Sequence, residues 1–105
     1  MQSATFKNVQ DAVVDGRVYV SEHAYDEAVA DRIEILELFG HLSTADVIED
    51  YPQDPRGASC LVLSVGPIHS VWGYDDGAKQ GILITVYRPD PSKWSEDFRV
   101  RRPKT

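Results

Sequence analysis

The fold is decided by residues 61–94, which end in the run Ile82-Leu83-Ile84-Thr85-Val86-Tyr87-Arg88-Pro89-Asp90-Pro91. Branched aliphatic and aromatic residues dominate this stretch, and turn residues interrupt it at Gly66-Pro67 and at Asp75-Asp76-Gly77. The pattern predicts three consecutive strands, over residues 59–65, 68–74 and 82–87. Because their connections are too short for a crossover helix, the strands are predicted to form an antiparallel meander.

The residues before this stretch predict helices that cover one face of the sheet. Apolar residues recur at helical spacing between Ser3 and Gly16, and a second helix is predicted to begin after Ser21. That second helix is predicted to turn four side chains inward: Ala24, Tyr25, Ala28 and Val29. A third helix follows a break near Asp31, residues 17–20 are either an edge strand or a connector, and residues 46–51 are predicted as a strand. The sequence therefore predicts an α+β fold, with N-terminal helices on one face of a C-terminal antiparallel sheet of about four strands.

Length and composition indicate one small globular domain over residues 1–105. The chain has one cysteine, Cys60, which excludes an intrachain disulfide and is predicted to be buried. No apolar segment is long enough for a signal peptide or a membrane span, so a cytoplasmic protein without membrane contact is expected.

The formal net charge of −6 argues against general affinity for nucleic acid. The charge is unevenly distributed, however, because residues 1–58 hold 4 Lys or Arg against 12 Asp or Glu, while residues 59–105 hold 7 against 5. Four of these cations lie in the basic C-terminal tail, residues 99–105. This tail is either part of a local basic patch or a solvated terminus.

Several motifs occur in one order that resembles the bacterial domain-of-unknown-function family 4258. They are Ser21-Glu22-His23-Ala24, Val47-Ile48-Glu49-Asp50-Tyr51-Pro52, Pro67-Ile68-His69-Ser70-Val71 and Ile84-Thr85-Val86-Tyr87-Arg88-Pro89-Asp90-Pro91-Ser92-Lys93-Trp94. The resemblance covers residues 18–102, and the closing Tyr-x-Pro-Asp-Pro-x-x-Trp is its most specific part. The family is similar in layout to RelE-like and BrnT-type toxins, which implies a RelE-like fold and, by analogy, metal-independent RNA cleavage.

The sequence also departs from the family's usual pattern. Members tend to carry an Arg one helical turn after the His of Ser-x-His-Ala, where this chain has Glu27. The usual Arg-Gly-Ile between the helices is replaced by Asp31-Arg32-Ile33. Loss of a cation beside a phosphate site weakens the expectation of RNA cleavage.

Cleavage of RNA without a metal requires a base, an acid and a cation for the phosphate, and the candidate catalytic residues are His23, His69, Tyr87 and Arg102. His23 lies in the first turn of its predicted helix, where the dipole favours the neutral imidazole; it is either a catalytic group or a packed histidine. If residues 75–80 form a loop that places His69 opposite Tyr87, the two side chains leave the same face of the sheet. A shift of one residue would instead place Val86 there, and the sequence leaves this register open.

The remaining candidates are cations and an aromatic residue near the same end of the sheet. Arg88, Arg99 and Arg101 are predicted to bind substrate, since the guanidinium group suits bidentate contact with phosphate. Trp94 is predicted to anchor the terminus to the domain, with base stacking as the alternative. Glu49-Asp50 is interpreted as a solvated strand edge. No metal-ligand spacing or phosphate-binding glycine loop occurs, so no metal or cofactor is expected.

Two functions from different classes follow. The first is a RelE/BrnT-like, toxin-related, metal-independent endoribonuclease, whose expected partner is either RNA or an antitoxin-like protein. The second is a non-catalytic protein-binding or regulatory module of the same fold. Such a module would meet a basic partner through its acidic helical face, or would accept an added strand at a sheet edge.

Overall fold

The computed structural model describes residues 1–103 and shows three helices packed on a five-stranded sheet. The elements in chain order are α1 (Ala4–Val14), β1 (Val18–Val20), α2 (Glu22–Ala30), α3 (Ile35–His41), a 3₁₀ turn (Leu42–Thr44), β2 (Asp46–Tyr51), β3 (Ser59–Ser64), β4 (Ile68–Asp75) and β5 (Gln80–Tyr87). Lys104, which the prediction counted in the basic tail, lies outside the described residues. No helix of residues 1–103 is long and apolar enough to cross a membrane.

The sheet has the strand order β1-β5-β4-β3-β2, and the α+β prediction is confirmed. Strands β2 to β5 form the predicted antiparallel meander. The sheet differs from the prediction at one edge, where β1 pairs in parallel with β5 and makes a fifth strand. The predicted number of four strands was low because residues 17–20, left open as strand or connector, are the edge strand.

The helices cover one face of the sheet, here called the front face. Ser21 caps α2 as predicted and Ser3 caps α1, with each side-chain oxygen accepting a hydrogen bond from the third following backbone N–H. The core between the helices and the sheet contains the buried side chains Phe6, Val9, Ala24, Ala28, Leu38, Val62, Trp72, Leu83 and Val86. The predicted burial of Cys60 is confirmed.

Two side chains of α2 were wrongly predicted to point inward. Tyr25 is 58% exposed and Val29 is 64% exposed, whereas Ala24 and Ala28 are buried. The small alanine side chains let α2 approach β5 closely, and a third face of the helix, which carries Glu27 and Asp31, reaches the edge of that strand. An amphipathic pattern alone does not show that polar side chains occupy a contact face.

The outer edge of β5 is closed by side chains of α2 where β1 ends. β1 pairs only with Gly81, Ile82 and Leu83. Beyond that point, Ser21 donates a hydrogen bond to the Ile84 carbonyl at 3.0 Å, and the Val86 N–H donates to Glu27 Oε1 at 3.2 Å. The Arg88 N–H donates to Asp31 Oδ2 at 2.9 Å. Glu27, a departure from the family's usual pattern, therefore has a structural role.

We expect Glu27→Ala to lower the free energy of unfolding by about 1–3 kcal/mol, because it leaves the N–H of the fully buried Val86 without its partner. Glu27→Gln keeps an acceptor oxygen, so its free energy of unfolding is expected to fall much less. Urea denaturation measures both changes. The matched control is Asp26→Ala, on the exposed face of the same helix. Equal stability of Glu27→Ala and Asp26→Ala would contradict this role.

Residues 89–103, here called the C-terminal strap, fold back across the opposite, back face of the sheet. Trp94 and Arg101 form an isolated antiparallel bridge, and Arg102 N–H donates to the Lys93 carbonyl at 2.9 Å. Arg99 pairs with Asp46 and Arg101 pairs with Glu49, both on β2. Residues 99–102 are therefore attached to the sheet, and the solvated-tail alternative does not apply to them.

Candidate functional site

His69 and Tyr87 form a cross-strand pair on the back face. β4 and β5 align His69 with Tyr87, the register that the sequence left open, because Ile84 is an extra residue between Leu83, which pairs with Trp72, and Thr85, which pairs with Val71. Their neighbours Ser70 and Val86 are also paired, and Val86 belongs to the front-face core. Because side chains alternate along a strand, His69 and Tyr87 point to the back face. The distance from His69 Nδ1 to the Tyr87 hydroxyl oxygen is 3.1 Å.

The hydrogen bonds of His69 determine its tautomer. Its Nε2 lies 2.9 Å from the carbonyl oxygen of Phe98, which can only accept a hydrogen bond. Nε2 therefore carries the proton, and Nδ1 accepts the hydrogen bond that the Tyr87 hydroxyl donates. Burial lowers the pKa of His69, while the Phe98 carbonyl and the charge of Glu49 act in the opposite direction. The result is a neutral imidazole whose Nδ1 lone pair accepts the hydrogen bond of the Tyr87 hydroxyl.

Tyr87 is the member of the pair that reaches the surface. His69 is fully buried, whereas Tyr87 is half-buried and lines an open groove. Burial raises the pKa of Tyr87, so its hydroxyl keeps its proton at neutral pH. A molecule in the groove can thus contact Tyr87 but can reach His69 only through Tyr87.

Trp94 covers His69 and supports Arg101. The Trp94 and His69 rings meet edge to face with centroids 4.4 Å apart, and the Arg101 guanidinium lies 4.8 Å from the Trp94 centroid on the ring face. Trp94 is only 4% exposed, which confirms the anchor prediction and leaves no free ring face for base stacking.

Glu49 holds Arg101 in place through two hydrogen bonds. Arg101 Nε lies 2.8 Å from Glu49 Oε2, and Nη2 lies 3.0 Å from Oε1. These bonds lower the pKa of the Glu49 carboxyl and raise that of Arg101, so both groups are charged. The interpretation of Glu49 as a solvated edge residue was wrong, because the strap folds over it.

The groove beside Tyr87 has a volume of about 870 Å³, and the strap forms most of its wall. It is lined by Tyr87, Arg88, Asp90, Ser92, Lys93, Trp94, Arg101, Arg102 and Pro103. Four of these residues are cations and one is a carboxylate. The carboxylate, Asp90, accepts hydrogen bonds from the backbone and side chain of Ser92, so it serves the local turn.

Most cations elsewhere in the described chain have a carboxylate partner, but those of the groove mostly do not. Among residues 1–103, the Lys and Arg side chains without an ion pair are Arg32, Arg88, Lys93 and Arg102. Three of these four line the groove. In a chain with more acidic than basic residues, this arrangement creates local attraction for an anion.

The structure separates the predicted site residues into two groups. Tyr87, Arg88, Arg101 and Arg102 line the groove, with His69 behind Tyr87. Arg88 also donates to the carbonyls of Asp31 and Arg32, and Arg102 Nε donates to the Pro91 carbonyl at 3.1 Å.

The other two predicted residues do not line the groove. Arg99 binds Asp46, and His23 lies on the exposed side of α2 with Nε2 at 3.2 Å from Glu27 Oε1. Their catalytic and substrate-binding roles stay predictions, for which the groove offers no geometric support.

Three contributors to the site were missed in the sequence. Lys93 lies in the Tyr-x-Pro-Asp-Pro-x-x-Trp motif and could have been found from its position beside Trp94. Glu49 could have been found from strand alternation, since it shares a face with Tyr51. The carbonyl of Phe98 gives no sequence signal, because any residue has one.

Among the described residues, no group of three or more His, Cys, Asp or Glu side chains is placed to hold a metal ion.

Comparison with known proteins gives one match. A family model described as "Domain of unknown function (DUF4258)" matches residues 20–88, from the last residue of β1 to just beyond β5. No curated protein and no solved structure matches the chain. The matched region contains His69 and Tyr87, while the strap that completes the groove follows it.

Proposed function

Since the chain belongs to the DUF4258 family, whose description names no activity, we propose from the groove itself that it is a metal-independent endoribonuclease. The observation that carries this proposal is the gathering of unpaired cations in the groove that Tyr87 lines. A phosphodiester backbone is the polyanion that such a groove fits, because it presents evenly spaced charges and a reactive hydroxyl beside each phosphate. The cytoplasm, where RNA is abundant, is the proposed location.

The Tyr87–His69 pair supplies a path for the proton of the attacking hydroxyl. The 2′-hydroxyl gives its proton to the Tyr87 oxygen while Tyr87 passes its own proton to His69 Nδ1. The 2′-oxygen forms a bond to phosphorus, the bond from phosphorus to the 5′-oxygen breaks, and that oxygen takes a proton from water. The hydroxide that remains is neutralised by the proton that His69 returns through Tyr87. The products are a 2′,3′-cyclic phosphate and a 5′-hydroxyl.

The groups around the pair support this transfer. The Phe98 carbonyl holds the imidazole in the required tautomer and stabilises the imidazolium through the Nε2–H bond, as a carboxylate does in a hydrolase triad. The charge of Glu49 also favours the protonated ring, while that of Arg101 acts in the opposite direction. Lys93, Arg101 and Arg102 are placed to offset the charge that develops on the phosphate oxygens.

The test combines cleavage with the salt dependence of binding. In the presence of a chelator, the purified protein is expected to convert single-stranded RNA to products with a 2′,3′-cyclic phosphate. Lys93→Ala is expected to weaken RNA binding and to reduce the slope of log affinity against log salt by about 0.7, the value for one lost phosphate contact on a single strand. Lys7→Ala, which removes an ion-paired lysine of α1, is the control and is expected to leave the slope unchanged.

A second candidate function is a non-catalytic module that binds a basic protein. One observation favours it: Tyr25 and Val29 are exposed on α2 beside Glu22 and Asp26, which have no ion-pair partner among the described residues. A folded protein that neither binds nor cleaves RNA would reject the ribonuclease and leave this alternative.

A further inference from the structure

A second depression lies next to the groove, between Tyr51 and the loop that joins β2 to β3. It has a volume of about 510 Å³ and is lined by Tyr51, Pro52, Gln53, Asp54, Pro55 and Arg56. One aromatic ring and two proline rings give it apolar walls. The Gln53 amide and the paired Asp54 and Arg56 side chains add hydrogen-bonding groups in both directions.

The depression is connected to the groove through three side chains. The Tyr51 hydroxyl donates to Glu49 Oε1, and Glu49 in turn holds Arg101, which lines the groove. Glu49 and Tyr51 are separated by one residue on β2, which places them on the same sheet face about 7 Å apart along the strand. One hydrogen-bonded chain therefore runs from the depression to the phosphate-binding cations.

Tyr51 offers an aromatic surface that Trp94 does not. Its side chain is 41% exposed, compared with 4% for Trp94, so a base can stack on Tyr51. Flat apolar walls beside groups that can hydrogen-bond to a base edge are the features by which proteins hold unpaired bases. In a duplex the bases are already stacked and paired, so they cannot enter such a depression.

We infer that the depression at Tyr51 binds an unpaired base of the strand whose phosphate lies in the groove, and that the substrate class is single-stranded RNA. This inference rests on the proposed function, because it takes the groove as the phosphate site. Tyr51 thereby becomes a specificity-determining residue.

The experiment measures binding in a Tyr87→Phe background, which keeps the RNA intact. The ligands are a short single-stranded RNA, the duplex of the same sequence, and inorganic polyphosphate of similar charge. Tyr51→Ala is expected to weaken binding of the single strand by about 5- to 150-fold, the loss that accompanies removal of one stacked base. Polyphosphate binding should stay unchanged, because it uses only the groove. Tyr51→Phe keeps the ring and should bind the single strand nearly as the parent does.

The other outcomes distinguish failure of base binding at Tyr51 from failure of the groove itself. Equal binding of the single strand by the parent and Tyr51→Ala, or equal binding of the duplex and the single strand, would overturn the inference alone. A parallel loss of polyphosphate binding in Tyr51→Ala would show that Tyr51 acts through Arg101, which also overturns stacking. Failure of the parent to bind any of the three ligands would overturn both the groove and the inference. Tyr25→Ala, on the exposed face of α2, is the control for removal of a surface tyrosine.

Discussion

Tyr87→Phe is expected to lower the rate of RNA cleavage by about 100- to 10,000-fold, the contribution of one positioned acid–base group. The substitution removes only the hydroxyl that stands between the groove and His69 Nδ1. A proton from the 2′-hydroxyl then has no path to the buried imidazole. The cations that line the groove stay in place, so the affinity for RNA should change little, and single-turnover cleavage with saturating protein separates the two effects.

The Tyr87→Phe variant has to be shown to fold, and a second Tyr→Phe substitution outside the groove has to serve as its control. The change leaves His69 Nδ1 without a donor, and an unsatisfied buried acceptor costs about 1–3 kcal/mol of stability. Circular dichroism and RNA binding therefore have to accompany the assay. Tyr74→Phe removes a hydroxyl from β4 outside the groove and should cleave RNA as the parent does. A Tyr87→Phe variant as active as Tyr74→Phe would refute the proton path.

Trp94→Ala is expected to lower the free energy of unfolding by about 3–5 kcal/mol, the usual loss for a buried tryptophan replaced by alanine. Trp94 is a buried aromatic contact of the strap with the back face, since its ring packs on His69 and beneath Arg101. Removal of the ring leaves a cavity above the buried imidazole and opens it to water. Urea denaturation, followed by far-ultraviolet circular dichroism, measures the loss.

The control for Trp94→Ala comes from the same segment. Val100 is 64% exposed, and Val100→Ala should change stability by no more than about 0.5 kcal/mol. If Trp94→Ala were as stable as Val100→Ala, Trp94 would not anchor the strap to the sheet.

The local elements of the fold follow from the sequence because their signals are local. Ser3 and Ser21 cap helices through neighbouring N–H groups. The register of His69 against Tyr87 is not set locally, because the turn aligns Asp75 with Gln80 and a shift between Val71 and Trp72 moves the pairing by one residue. The parallel pairing of β1 with β5 is not local either, since it joins residues more than sixty positions apart. Three residues at Val18–Val20 carry too little pattern to specify such a partner.

The candidate site was predictable where residue type alone carries the chemistry. His69, Tyr87 and the arginines of the C-terminal part could be named, but the separation of Arg99 and His23 from the groove could not. The strap has no period of hydrophobicity, because its fold depends on single contacts such as Trp94 on His69 and Arg101 on Glu49. Such contacts are tertiary and leave no repeating pattern in the sequence.

The closure of the β5 edge by α2 has a consequence for how the protein behaves at high concentration. An unpaired strand edge is a template on which another chain can add and start an aggregate. Here the Val86 and Arg88 N–H groups already donate to the carboxylates of Glu27 and Asp31, so an incoming strand finds no free donors at these positions and meets negative charge. The same two side chains that complete the fold thus also act as gatekeepers of solubility.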